Sequence, residues 1–261
     1  MTDFLIEKAT VGQAKAKIAI VGIAGSGKTY TALTIARELG LRVLVIDTEN
    51  KSSTKYADRF DFDVLNLTEY KLTTYINALK YAETQGYDVV IVDSLSHAWV
   101  GPGGALDQVD QASGNKFTSG WKIVTPLHNQ LVATILNYPI HLIATMRMKM
   151  DYILVLNEQG KQVPQKIGLG IVQRDGLEYE FDIVAEMSAE HHLTITKTRC
   201  FALDGFEASK PDGLLGQQVQ SWLTEEMNNF FSRTGGIQLK NNFLREPEVS
   251  LVGVTMILPG I

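Results

Sequence analysis

The stretch from Lys17 to Leu39, KIAIVGIAGSGKTYTALTIAREL, decides which kind of fold this chain can adopt. It begins with a short apolar run that predicts a buried strand, breaks at Gly22 and resumes at Thr29 with residues typical of a helix. The segment between them fits the pattern G-x-x-x-x-G-K-[ST]. Glycines let successive backbone N–H groups point inward, and the helix N-terminus adds a positive dipole. The pattern therefore predicts a loop that binds the phosphates of a nucleoside triphosphate.

Two side chains of this loop have predicted roles of their own. Lys28 is expected to reach the outer phosphates, and the hydroxyl of Thr29 is expected to bind Mg²⁺. The predicted nucleotide-binding residues are Gly22, Ile23, Ala24, Gly25, Ser26, Gly27, Lys28, Thr29 and Tyr30.

The bulk properties indicate a globular, soluble protein. The chain has 261 residues, of which 45% are hydrophobic and 20% charged, enough for one large α/β core. Its single cysteine, Cys200, excludes an internal disulfide and a cysteine-based zinc site. The sequence shows neither an apolar run of about 20 residues nor the layout of a signal peptide, so the cytoplasm is the expected location, without membrane contact. The net charge of -5 means that any nucleic-acid contact needs a local basic patch.

Strand and helix patterns alternate along the chain. Apolar runs at 41–47, 62–67, 87–93 and 140–145 predict strands, and helices are expected at 29–39, 71–85 and 121–136, the last interrupted near Pro126. Because these runs are continuous rather than alternating, they predict a mostly parallel sheet flanked by helices, an α/β P-loop fold. The expected core spans 1–230, with an N-terminal edge segment at 1–16 that includes a possible strand at 4–10. The tail at 231–261 has no assignable structure.

The second half of the chain is less regular. Its glycine, serine and asparagine content predicts a long loop over 100–120, with a helical turn near 105–109. A polar hairpin or a mobile excursion is expected from 151–156 and 163–167, joined by a turn at 158–161. Antiparallel strands at 181–187 and 193–199, with a turn at 188–191, are expected at the C-terminal side of the sheet, followed by a helix over 214–231. His191 and His192 in this turn lack partners at ligand spacing and predict no metal site.

Three acidic residues follow predicted strands. Asp93 ends an apolar run, which is the arrangement of a Walker B carboxylate that holds Mg²⁺; the alternative is an acid that only caps the strand. Glu49 could orient or deprotonate the attacking water if its strand neighbours the P-loop strand. Asp47 is expected to be structural.

Four segments together resemble the core of RecA-type recombinase ATPases, in the same order and over about residues 17–205. They are VIDTENKSSTKYA at 45–57, VVIVDS at 89–94, LIATMRMK at 142–149 and LTITKTR at 193–199. The resemblance is closest to short phage RecA-like proteins associated with single-strand annealing. It implies ATP and Mg²⁺ as ligands, Glu49 as the acid that activates water and Asp93 as Walker B. It also implies a γ-phosphate sensor at Thr145 or Met146, where RecA itself usually has glutamine.

The same resemblance implies that Lys197 and Arg199 act on the ATP of a neighbouring subunit. In RecA-like filaments two cations at the matching strand positions stabilise charge on the transferred phosphoryl group, as an arginine finger does. The alternative is a solvated basic edge of a strand. A shared site implies self-association, as a filament or a ring.

Two loops are implied as contacts for single-stranded DNA, at 100–120 and 149–174. Between 145 and 174 five cations stand against two acids, which makes this a basic patch in an acidic chain. The candidate DNA-binding residues are Arg147, Lys149, Lys161, Lys166 and Arg174.

The function predicted from these features is an ATPase that assembles on single-stranded DNA and supports annealing or strand exchange. One alternative is a ring-forming motor related to hexameric helicases, or a regulatory P-loop switch, because both share the same core. A small-molecule P-loop kinase is a further alternative, but it needs a second substrate pocket and usually an arginine-bearing lid.

Overall fold

The structure is a computed structural model that describes residues 14–113, 117–156 and 162–224. The predicted edge strand at 4–10, the turn at 158–161 with Lys161, and the tail at 231–261 lie outside these residues.

The described residues form one mixed sheet of nine strands. In chain order these are β1 (Lys17–Gly22), β2 (Val43–Asp47), β3 (Asp63–Asn66), β4 (Val89–Asp93), β5 (His141–Leu156), β6 (Gln162–Ile171), β7 (Ile183–Met187), β8 (His192–Thr198) and β9 (Glu207–Ser209). The spatial order is β3-β2-β4-β5-β1-β7-β8-β9, and β6 pairs only with β5. The strands from β3 to β7 in this order are parallel, whereas β8, β9 and β6 are antiparallel to their neighbours. The predicted α/β fold with antiparallel strands at the C-terminal side is confirmed.

Helices cover both faces of this sheet. They are α1 (Lys28–Leu39), α2 (Leu72–Glu83), α3 (His97–Val100), α4 (Ala105–Ser113), α5 (Phe117–Leu136) and α6 (Leu214–Leu223). Ile18 and Ile20 of β1 pack with α1 and α6, whereas Ala19 and Val21 face the side of α2, α4 and α5. Successive residues of a strand point to opposite faces, so both faces are apolar because both are covered.

Because β1, β2 and β4 are parallel, their C-terminal ends all lie at the same end of the sheet. We call this end the carboxyl edge of the sheet. β2 does not neighbour β1, because β4 and β5 lie between them. The assumption that Glu49 follows a neighbour of the P-loop strand was therefore wrong. Glu49 nevertheless lies at the correct edge, because the carboxyl ends of parallel strands all meet there.

The segment 100–120 is mostly helical where it is described, so the prediction of a long loop was wrong. Residues 105–113 form α4, and α5 begins at Phe117 rather than at Trp121. Ala105 and Val109 are buried in the core, and this packing outweighs the loop-like composition around them. Pro126 lies inside α5 and does not interrupt it.

β5 is much longer than the predicted core strand. It runs from the middle of the sheet into an antiparallel pair with β6, which we call the β5–β6 arm (residues 148–156 paired with residues 162–171). The predicted hairpin is confirmed where it is described, but it continues a core strand rather than standing apart from it. No helix in the described ranges combines the length and the hydropathy that a membrane crossing needs.

Candidate nucleotide-binding site

The loop between β1 and α1 has the backbone that its glycines predict. Gly25 and Gly27 have φ angles of +80° and +96°, in the left-handed region that favours glycine. At Gly22 the reason is space instead, since a Cβ atom there would lie 2.6 Å from the carbonyl oxygen of Met187 in β7. The loop is thus held tightly against the neighbouring strand.

Lys28 lies inside this loop at the first position of α1. Its Nζ donates to the carbonyl oxygen of Ile23 at 2.7 Å. Burial lowers the pKa of Lys28, while Asp93 and Glu49 oppose the shift by attracting the positive charge. Lys28 lines the same pocket as these two acids.

Asp93 is held by two threonine hydroxyls. Thr29 Oγ1 donates to its Oδ2 at 2.6 Å, and Thr145 Oγ1 donates to its Oδ1 at 2.5 Å. Asp93 is only 2% exposed, and this burial raises its pKa. The acid therefore does not merely cap a strand, because it contacts the P-loop threonine across the intervening strand β5.

The oxygen atoms of Thr29 and Asp93 fit a magnesium ion. Mg²⁺ prefers hard oxygen ligands and is usually bound by one or two protein groups together with water and substrate phosphates. Among the described residues there is no group of three or more histidine, cysteine or acidic side chains that could hold a metal ion. The buried Ser26 hydroxyl, which finds no partner in the described part of the chain, adds a free donor to the loop. The residues present thus fit a magnesium-bound nucleotide.

Thr145 occupies the position predicted for a γ-phosphate sensor, but its hydroxyl is engaged with Asp93. Met146, the other candidate, is fully buried. The structure places Thr145 beneath the carboxylate, where it fixes the orientation of Asp93.

Glu49 lies at the rim of the same pocket and pairs with Arg147. Arg147 Nε donates to Oε1 at 2.9 Å and Nη2 donates to Oε2 at 2.6 Å. The backbone of Glu49 is fixed by Asp47, whose Oδ1 accepts its N–H at 2.7 Å. Asp47 also accepts hydrogen bonds from the backbone N–H and the hydroxyl of Ser53, so it is structural, as its position predicts.

These groups surround a pocket of about 810 Å³. Lys28, Thr29, Glu49, Asp93 and Arg147 line it. The volume is within the range of small-molecule and cofactor sites.

Sequence reasoning missed one wall of this pocket. Met187, His191, Lys210, Pro211 and Asp212 also line it. β7 runs parallel to β1, so the turn after β7 lies beside the P-loop. His191 Nδ1 is 3.1 Å from the carbonyl oxygen of Ser26, which can only accept, so this ring nitrogen is the donor. The parallel pairing of β7 with β1 would have revealed this wall, but the local sequence predicts only a turn.

Lys197 and Arg199 lie at the opposite end of the sheet, where β1 and β7 begin. β8 runs antiparallel to β7, so its end is roughly 15–20 Å from the P-loop edge, the length of a strand of five or six residues. Lys197 donates to the carbonyl oxygens of Tyr179 and Phe181, and Arg199 Nη1 donates to Asp182 Oδ1 at 3.0 Å. Both cations therefore lie side by side, remote from the pocket of their own chain.

The predicted DNA-binding cations are not all in one place. Arg147 faces the nucleotide pocket, whereas Lys149 is exposed two residues further along β5. Lys166 belongs to β6, and Arg174 is half-buried just after that strand.

Trp99 of α3 packs against Trp121, with ring centroids 5.7 Å apart, and so belongs to the packed interior beside α5.

Comparison with known families agrees with this site. A family model described as an AAA domain matches residues 14–224, which includes every described strand and helix. No curated protein matches the chain. The general expectation of a P-loop nucleotide-binding domain is confirmed, and the family indicates nucleotide binding and ATP hydrolysis. With a phosphate-binding loop, a buried carboxylate against its threonine and a family match over most of its length, the chain belongs to the AAA domain family of P-loop proteins.

Proposed function

We propose that this protein is a Mg²⁺-dependent ATPase of RecA-like type that acts on single-stranded DNA in annealing or recombination. The observation that carries the proposal is the path of β5. This strand lies next to the P-loop strand, contributes Arg147 to the pocket and continues into the β5–β6 arm. One element thus links the nucleotide pocket with the basic segment.

The positions of the pocket residues support the roles that we assign to them. Lys28 neutralises phosphate charge, and Thr29 and Asp93 hold the metal ion, which supplies further charge neutralisation when bound. Glu49 orients the attacking water in this proposal, which its place in the pocket lining supports.

Lys197 and Arg199 complete the site of a neighbouring subunit in this proposal. Since they lie at the edge opposite the P-loop, they reach an ATP only if the far edge of one subunit packs on the pocket edge of the next. Such a head-to-tail contact generates either a ring or a filament. Both assemblies are compatible with a shared site.

The test is steady-state ATP hydrolysis by the purified protein, with and without oligo(dT). We expect oligo(dT) to stimulate turnover, and the stimulation to fall as salt rises, because phosphate contacts release counterions. Lys28→Ala and Arg199→Ala are each expected to abolish turnover. Turnover that is indifferent to DNA at every salt concentration would reject the DNA-directed function and leave a switch or a kinase.

Mixing the two inactive variants tests the shared site directly. Lys28→Ala retains Arg199, and Arg199→Ala retains an intact P-loop. A mixed assembly therefore contains some interfaces with both groups, and turnover returns. If each variant is folded but the mixture stays inactive, Arg199 does not act across an interface.

The alternative of a ring-forming motor keeps the same pocket and the same head-to-tail contact. ATP-dependent unwinding of duplex DNA by the pure protein would favour it over the annealing function.

A further inference from the structure

His191 contacts the phosphate-binding loop from outside. Its Nδ1 donates to the carbonyl oxygen of Ser26 at 3.1 Å, and the same nitrogen lies 3.3 Å from the place that a Cβ atom on Gly27 would take. The imidazole therefore borders the Ser26–Gly27 peptide group, just before Lys28 in the loop.

The backbone of His191 is held on both sides. Its N–H group donates to the carbonyl oxygen of Ser188 at 3.2 Å, and its own carbonyl oxygen accepts from the backbone N–H of Lys210 at 2.8 Å. Its φ angle of +63° is in the left-handed region, where histidine, asparagine and aspartate are found more often than other non-glycine residues. The ring therefore extends from a fixed point beside the loop, where the parallel pairing of β7 with β1 places this turn.

The hydrogen bond from His191 also fixes the direction of the Gly27 N–H group. The Ser26–Gly27 peptide bond is trans and planar, so its C=O and N–H groups point in opposite directions. Because the carbonyl group points at the imidazole, the N–H group of Gly27 points away from it. In the described part of the chain no backbone oxygen accepts from this N–H group, as is usual at the start of a helix. It is thus available to a phosphate oxygen.

The loop by itself does not hold this peptide plane. Rotation of the plane changes the φ angle of Gly27, which is +96°, and glycine adopts positive and negative φ angles about equally well. The buried Ser26 hydroxyl finds no partner among the described residues, so the side chain of the same residue does not hold the plane either. The hydrogen bond from His191 therefore favours the observed orientation over the rotated one.

We propose that His191 is a positioning residue of the nucleotide site, which holds the Ser26 carbonyl oxygen outward and thereby aims the Gly27 N–H group at a phosphate of the bound nucleotide. This inference rests on nucleotide binding as part of the proposed ATPase function and deepens it, since it names a residue outside the loop on which phosphate affinity depends. A loop that is oriented before the ligand arrives does not have to be ordered on binding.

The test measures the affinity for Mg²⁺-ADP by isothermal titration calorimetry, because binding of this ligand requires neither hydrolysis nor DNA. His191→Gly removes the donor and tolerates the left-handed backbone, so its Kd should rise roughly tenfold. Asparagine also tolerates this backbone, and its side-chain amide donates from nearly the position of Nδ1. His191→Asn should therefore keep the Kd within about threefold of the wild-type value.

His192→Gly is the matched control. It removes the neighbouring imidazole, which faces Glu207 of β9 at 3.5 Å and is not part of the pocket lining, so its Kd should equal that of the wild type. Equal Kd values for His191→Gly and the wild type would overturn the inference, and so would a His191→Asn variant that binds as weakly as His191→Gly. If His191→Gly does not fold, His191→Ala removes the same donor with a smaller gain of chain entropy in the unfolded state and takes its place.

The pH dependence separates positioning from direct contact with a phosphate. Nδ1 carries a proton both in the neutral tautomer that donates to Ser26 and in the imidazolium ion, so this hydrogen bond does not depend on protonation. The ratio of the Kd values of His191→Asn and the wild type should thus stay constant from about pH 6 to about pH 8, the range in which histidine titrates. The charged neighbours Glu190, Lys210 and Asp212 are present in both proteins, so their effects cancel in this ratio. A ratio that grows as pH falls would make the imidazolium a direct phosphate ligand and overturn the inference.

The inference and the proposed function fail in different ways. If the wild type binds Mg²⁺-ADP but hydrolyses ATP at the same rate with and without oligo(dT), only the action on DNA is rejected, and the Kd values still decide the role of His191. Unchanged affinity in His191→Gly together with DNA-stimulated turnover rejects the role of His191 and leaves the ATPase function in place.

Discussion

Thr29 Oγ1 and Asp93 Oδ2 are 2.6 Å apart, although the strands that lead to them are not neighbours in the sheet. β5 lies between β1 and β4, and its Thr145 donates to the other oxygen of the same carboxylate. Three strands thus converge on Asp93 at the carboxyl edge of the sheet. Burial raises the pKa of this group, so its charge is costly unless a cation shares the site.

Asp93→Asn should abolish ATP hydrolysis and stabilise the ligand-free protein. Loss of a charge that holds the metal is expected to lower kcat by about 100-fold or more. In EDTA without nucleotide, the variant no longer buries a carboxylate, and each kcal/mol gained raises the melting temperature by about 2–4 °C. Steady-state ATP hydrolysis measures the loss of kcat, and thermal melting in EDTA without nucleotide measures the gain of stability.

The sign of the pH dependence follows from the raised pKa of Asp93. A carboxyl group with a higher pKa in the folded state contributes stability below its unfolded pKa of about 3.9 and loses that contribution as pH rises through the folded value. The stability difference between Asp93→Asn and the wild type should therefore increase with pH above about 4. An equal difference at every pH would contradict this account.

Thr145→Val should lower the free energy of unfolding while Asp93 stays available as a metal ligand. Valine has a similar shape, but it leaves Asp93 Oδ1 buried without its donor, at a cost of about 1–3 kcal/mol. Urea unfolding measures this loss. Thr134→Val is the control, because the Thr134 hydroxyl donates only to the carbonyl oxygen of Gln130 on the exposed side of α5. An equal loss of unfolding free energy in both variants would show that the hydrogen bond to Asp93 contributes no more than an ordinary surface hydrogen bond.

His141 should make the protein sensitive to mild acid. Burial, with Lys15 and Lys17 nearby, lowers the pKa of His141 to about 4, and its Nδ1 accepts the backbone N–H of Ala16 at 3.1 Å. A histidine with a lowered pKa contributes stability above its unfolded pKa of about 6.5 and loses it as pH falls towards the folded value. The contribution is on the order of 3 kcal/mol. Melting temperatures of the wild type and His141→Gln between pH 7 and pH 4 measure it, and the variant should show the shallower decline.

Gly22→Ala should be more damaging than Gly25→Ala. At Gly22 the new methyl group would lie 2.6 Å from the carbonyl oxygen of Met187, which belongs to the sheet backbone and cannot move freely. At Gly25 it would meet nothing within 4 Å, so only the left-handed backbone resists it, at about 1–2 kcal/mol. Urea unfolding ranks the stability of the two variants. The reverse order would show that the backbone of β7 can move away from a methyl group at position 22.

The sequence correctly predicted those parts of the fold that depend on residues close together in the chain. The strand Lys17–Gly22, the glycine loop and the helix that follows it form one continuous signal, because the loop needs φ angles and close contacts that few residues other than glycine allow. The apolar run that ends in Asp93 likewise predicted both a buried strand and a carboxylate at the end of that strand. The segment 100–120 was predicted wrongly, because burial of Ala105 and Val109 against other helices stabilises a helix that its local composition does not favour.

The sequence by itself thus determined the α/β class, the phosphate-binding loop and the residue types available for the chemistry. Only the tertiary structure decided which of them meet. The order of the strands brought Thr145 beneath Asp93 and placed Arg147 against Glu49, and the antiparallel direction of β8 put Lys197 and Arg199 at the far edge of the sheet. The physical reason is that strand order depends on packing between segments far apart in the chain, where the free energy comes from burying both faces of the sheet and not from any local pattern.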